Sequence, residues 1–123
     1  MNVDVFVEEM LRINTAIRYV AVVDNEYNLL ASSQRPGTPS FTTPETDRNF
    51  MSIIPSIIVE AVDKLRPFLG AMEAVEVRYK KALLTFHRAG NMIAILSFGP
   101  HVTTPFLSDV TKQFEKLKEE YLT

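Results

Sequence analysis

The run Asn91-Met92-Ile93-Ala94-Ile95-Leu96-Ser97-Phe98 carries no charge and stays apolar up to Ser97, after which Gly99-Pro100 stops it. A strand with one wet face alternates apolar with polar residues, so an unbroken apolar run demands cover on both faces. Its eight residues make a strand's length, about half of what a membrane-spanning helix needs. Tyr19-Val20-Ala21-Val22-Val23 reads the same way. Two neighbouring central strands follow, with the remaining elements arranged outward from them.

A chain of 123 residues has room for one core, so residues 1–123 are expected to form a single domain. Phe6, Met10, Ile13 and Ile17 recur at helical spacing and predict an amphipathic helix over 2–15, capped by Asn2 or Asp4. A first strand over 17–24 turns through Asp24-Asn25-Glu26-Tyr27-Asn28 into a second over 28–35, whose polar end suits a sheet edge. Residues 34–43 carry Pro36, Gly37 and Pro39 among Ser and Thr, a loop composition; within it Phe41 either anchors the loop to the core or covers a ligand.

Thr43 before Pro44, or Thr42 with Glu45 at capping-box spacing, opens a long helix that runs to about Arg66, where Pro67 and Gly70 end it. On a helical wheel its apolar residues between Phe50 and Leu65 span roughly 180°, whereas a helix covering one surface needs about 100°. Part of that arc must meet something besides its own sheet. Pro55, just outside the arc, is expected to kink or divide the helix.

Val75, Val77 and Tyr79 alternate with Glu76, Arg78 and Lys80, which predicts a half-exposed third strand over 73–80. Leu83 to Arg88 continues as a fourth, with Thr85 and His87 on its polar face, and Ala89-Gly90-Asn91 turns into the central run. Thr103-Thr104-Pro105 then starts a last helix whose Phe106, Val110, Phe114, Leu117 and Tyr121 share a face. The element order is αββαβββα, and with the two apolar strands central the hairpins give the sheet order 2-1-5-4-3, an α+β fold.

Little catalytic chemistry is on offer. The chain has no cysteine, which excludes disulfides, thiolate metal sites and a cysteine nucleophile. No phosphate loop, dinucleotide fingerprint or nucleophile elbow occurs, and four glycines leave little scope for one. His87 and His101, the only histidines, read as surface or capping residues rather than zinc ligands, and Asp24 with Glu26 reads as turn chemistry. No cofactor and no metal is expected. A net charge of −2 provides no global field for nucleic acid or anionic lipid, so Arg78-Tyr79-Lys80-Lys81 reads as a solvated strand face. Asp4, Glu8 and Glu9 interrupt the N-terminal apolar residues, so no signal peptide and no membrane insertion are expected, and the default location is cytoplasmic.

With its hairpin at Ile17-Arg18-Tyr19-Val20-Ala21-Val22-Val23-Asp24, the topology resembles the Roadblock/dynein light chain fold of the longin and profilin-like group. Ile17-Arg18-Tyr19-Val20 with Asp24, the Thr43-Pro44-Glu45 helix start and Val77-Arg78-Tyr79-Lys80-Lys81 are also similar to a family of small archaeal proteins of uncharacterised activity. The Roadblock resemblance implies a non-catalytic module that dimerises through its middle helix and third-strand edge and binds small Ras-like GTPases or scaffold complexes.

The expected function is therefore that of a homodimeric regulator or scaffold and not of an enzyme. Phe50, Ile54, Ile58 and Val62 are the candidates for self-association, beside Val75 and Val77 of the edge strand, with Arg78, Lys80 and Lys81 as a charged rim or as edge protection. A PAS-like small-molecule sensor is the alternative, since such domains also put helices around a five-stranded antiparallel sheet. They keep several short helices between the second and third strands, where this chain has room for a loop and one long helix.

Overall fold

A computed structural model describes residues 1–38 and 44–123, with the side chains of 44, 45, 47–52, 58 and 59 left aside. Phe41 and the Thr42 and Thr43 caps lie outside the described residues. In chain order the elements are α1 (Val3–Ile13), β1 (Ile17–Val23), β2 (Leu29–Gln34), α2 (Pro44–Asp63), α3 (Arg66–Leu69), β3 (Ala74–Arg78), β4 (Leu83–Ala89), β5 (Met92–Phe98) and α4 (Thr104–Tyr121). The strands form one antiparallel sheet in the order β2-β1-β5-β4-β3, as the sequence predicts.

The two apolar strands lie at the centre because both sheet faces are covered. Val20, Val22, Ala94, Leu96 and Phe98 join one core with Phe6, Val7 and Met10 of α1 and Val110, Phe114 and Leu117 of α4. Their neighbours Ala21, Val23, Ile93 and Ile95 point the other way into a second, smaller core with Phe86, against which Ile54 of α2 packs. With Ile93, Ala94, Ile95, Leu96 and Phe98 all buried, the polar alternation of a wet strand has no reason to appear.

Local chemistry sets the boundaries. Asn2 Oδ1 accepts the Val5 N–H and Thr103 Oγ1 the Phe106 N–H, so both outer helices start on side-chain caps. At the first hairpin Asp24 Oδ1 accepts the N–H groups of Glu26 and Asn28, each at 2.9 Å, and the Asn28 bond holds its carboxyl below the usual aspartate range. Tyr27 takes the left-handed conformation at φ 63°. The guanidinium of Arg35 donates to the carbonyls of Leu11 and Asn14 at the end of α1 and of Ile17 at the start of β1.

Three expectations change. The long helix ends at Asp63 rather than near Arg66, and a separate turn of helix, α3, follows with Pro67 in its first turn, where a missing N–H costs nothing. Gly70, at φ 85°, closes it by donating to the Arg66 carbonyl. Pro55 does not divide α2; beside it the Ser56 hydroxyl donates to the Ile53 carbonyl at 2.8 Å. Thr85 and His87 are not on a wet face: both are 2% exposed, because α4 lies over that side of β4.

Candidate interaction surface

Among the described residues, the segment from α2 through α3 carries several exposed apolar side chains. Ile53 is 51% exposed, Ile57 59%, Val62 37%, Leu65 54%, Phe68 82% and Leu69 76%. Ile53, Ile57, the exposed Ala61 and Leu65 follow at intervals of four, so they form one stripe along the outer side. The helix is rotated so that Pro55 is buried, and with it the side of the wheel about 100° on from Ile54. Of the described arc residues, Ile54 then packs on the core of the sheet while Ile53 and Ile57 face away from it.

Ile54, like Val75, Val77 and Leu84, packs against the core of Ala21, Val23, Phe86, Ile93 and Ile95 and is only partly covered. The predicted association residues are therefore dispersed. Ile54 lies on the sheet side, Val62 borders the exposed stripe, and the side chains of Phe50 and Ile58 are outside the described set. Val75 and Val77 are half-buried on the α2 face of β3. Sequence reasoning counted Ile53, Ile57 and Leu65 within the arc without placing them outermost, and it passed over Phe68 and Leu69. The burial of Pro55, which decides the rotation, leaves no trace in hydrophobic periodicity.

The basic residues also separate in role. Arg78 reaches across the sheet end to donate to the carbonyls of Pro100 at 3.2 Å and Val102 at 2.9 Å. It thereby ties β3 to the segment leading into α4. Lys80 and Lys81, in the connection to β4, are exposed, and Tyr79 beside them is 51% exposed. β3 has β4 on one side and ends the sheet on the other, so its outer backbone groups are open.

Two polar features remain. Asp24, Asn25, Tyr27, Glu60, Asp63, Arg88, Asn91 and Ile93 line an open cleft of about 180 Å³, within which Asp63 and Arg88 form an ion pair at 2.9 Å. That pair fastens the end of α2 to β4. The phenol of Tyr27 is pushed up by burial and by the nearby Glu60 carboxylate. On the opposite sheet face, His87 Nε2 lies 2.9 Å from Thr85 Oγ1 and the ring sits 4.8 Å from that of Phe114. Burial depresses this imidazole to about 4, so it is neutral at pH 7, and its Nδ1 has no partner among the described residues. Among these residues no three His, Cys, Asp or Glu side chains gather as metal ligands, and no helix is long and apolar enough to cross a membrane.

No family model and no curated protein sequence matches the chain. Solved structures do. A Roadblock/LC7 domain from Streptomyces avermitilis superposes with a TM-score of 0.74 at 10% identity, covering 98% of this chain and 94% of its own. MglB from Myxococcus xanthus gives 0.72 at 13% identity, with 96% and 92% covered. The gliding protein MglB from Thermus thermophilus gives 0.66 at 18% identity, with 94% and 87% covered. The chain has the Roadblock/LC7 fold.

Proposed function

We propose that the protein is a non-catalytic, homodimeric interaction module that regulates or scaffolds a small Ras-like GTPase. The observation that carries the reading is the outward apolar stripe of α2 and α3, from Ile53 through Ile57 and Leu65 to Phe68 and Leu69. Exposed apolar surface of this kind marks a protein contact, and the sheet also ends at the open edge of β3. Shared fold with MglB and Roadblock/LC7 domains supports the class of partner by analogy only, since a fold hosts many functions.

In this reading the stripe makes the self-contact, with about 1,600 Å² buried in total as for an ordinary stable interface. Lys80 and Lys81 supply the charged rim that meets the GTPase, and Arg78 serves the fold through its two carbonyl bonds. Rim charges alter association rate and its salt dependence more than affinity. Small Ras-like GTPases from the same genome, loaded with GDP or a non-hydrolysable GTP analogue, are to be titrated against the protein. Binding that depends on the nucleotide, and that slows about tenfold or more in Lys80→Glu/Lys81→Glu at low salt, is expected. Equal binding by the double variant would remove the rim from the account, and no binding by any GTPase would remove the partner.

A further inference from the structure

We infer that the end of the sheet where β1 and β4 begin and β3 and β5 finish is a docking surface for an acidic protein segment, with Arg18 as its central contact. This deepens the charged-rim reading above and rests on it for the identity of the partner. Strand pairing gathers the residues concerned. Arg78 stands opposite Leu83, Leu83 opposite Phe98 and Phe98 opposite Ile17, so these four make one row across the sheet and the segments next to them meet at its end. Segments 15–18, 78–82 and 99–105 contain Arg18, Arg78, Lys80 and Lys81 and no Asp or Glu, in a chain whose net charge is −2.

Arg18 is placed for contact. Two steps on β1, from Ile17 to Tyr19, match one step on β5, from Phe98 to Ser97, so Arg18 is the extra residue of a bulge. A bulge takes its residue out of the ladder and re-aims the side chain. Here the half-buried guanidinium lies over Gly99: a Cβ built on that glycine would come within 3.0 Å of Nη2 and 3.4 Å of Cζ. The seat exists because residue 99 has no side chain. The guanidinium makes no hydrogen bond or ion pair with a described residue, which leaves its fork of N–H donors for a carboxylate.

Arg78 has a different part. By holding the Pro100 and Val102 carbonyls it fixes segment 99–102, on which Arg18 rests. His101 within that segment is exposed, as are Lys80 and Lys81 in the connection to β4. One seated guanidinium among exposed cations suits carboxylates carried on a protein segment, because the fork takes one carboxylate in two parallel bonds and the lysines raise the rate of encounter. A nucleic acid fits less well. Its phosphates extend past these few positive charges onto the rest of the chain, where acidic residues outnumber basic ones.

Two probes test the surface at low salt: a fluorescein-labelled Glu-Gly repeat peptide and the GTPase of the titration above. Arg18→Gln is expected to weaken both by about tenfold, the worth of one charge-assisted pair. Lys112→Gln, which removes an exposed cation in the middle of α4, should bind like the wild type. Gly99→Ala changes no charge, and residue 99 is outside the left-handed region, so the variant should fold with an unchanged circular dichroism melt. Its methyl group displaces the guanidinium, and a loss of about threefold or more is expected. If the GTPase binds Arg18→Gln and Gly99→Ala as tightly as the wild type, the docking surface falls and the GTPase reading stands. If the peptide binds through Arg18 and no GTPase binds, the surface stands and that partner falls. Binding of neither probe overturns both. Equal losses in Arg18→Gln and Lys112→Gln, or equal affinity for a poly-dT oligonucleotide, would show a diffuse field in place of a site and overturn the inference.

Discussion

His87 shows how far one residue's surroundings can depart from its sequence pattern. Beside Thr85 it continues a polar alternation that predicts solvent, yet Phe114 and the rest of α4 seal it in. What the pattern lacks is any record of which helix lies over that face. The consequence can be measured, because an imidazole with pKa about 4 when folded binds its proton far less readily than one near 6.5 when unfolded. Above pH 6.5 both states are neutral there and the group contributes no pH dependence. As pH falls from 6.5 toward 4 the unfolded chain takes up the proton first, so stability is lost, by roughly 3 kcal/mol once both values are passed. Chemical denaturation at pH 7 and pH 4.5 should show this loss in the wild type and a much smaller one in His87→Met. An equal loss in both would assign the slope to other groups.

Helix α2 was legible in its start at Pro44 and in the width of its apolar arc, but not in its end or its rotation. An arc of roughly 180° can meet the sheet with either half. Pro55 decides the matter by taking a buried place, which turns Ile53 and Ile57 outward and Ile54 inward. Neighbouring isoleucines should therefore respond differently to the same change. Ile54→Asp places a carboxylate against the apolar core of Ala21, Val23, Phe86, Ile93 and Ile95 and should cost about 3 kcal/mol or more. In the single chain Ile57→Asp, whose side chain is 59% exposed, should change stability by less than about 0.5 kcal/mol. Urea unfolding at low protein concentration checks both; a costly Ile57→Asp there would mean that the outward stripe is packed within one chain. The Asp63–Arg88 pair and the carbonyl bonds of Arg78 were not legible, since each joins elements far apart in sequence.

At the scale of the molecule the sheet order was readable because β1 and β5 admit only the centre, and the hairpins then fix their neighbours. The short α3 was not readable: the Pro67 and Gly70 that frame it read equally as the end of α2. Its exposed Phe68 and Leu69 extend the apolar stripe past the end of the long helix, toward the open edge that begins at Ala74. On the function proposed above, a second copy covers this surface. Multi-angle light scattering on the wild-type protein at tens of micromolar tests that claim most directly. The account predicts a mass twice the 14.0 kDa of the chain, returning to 14.0 kDa in Ile57→Asp. A wild-type mass of 14.0 kDa under the same conditions would contradict it.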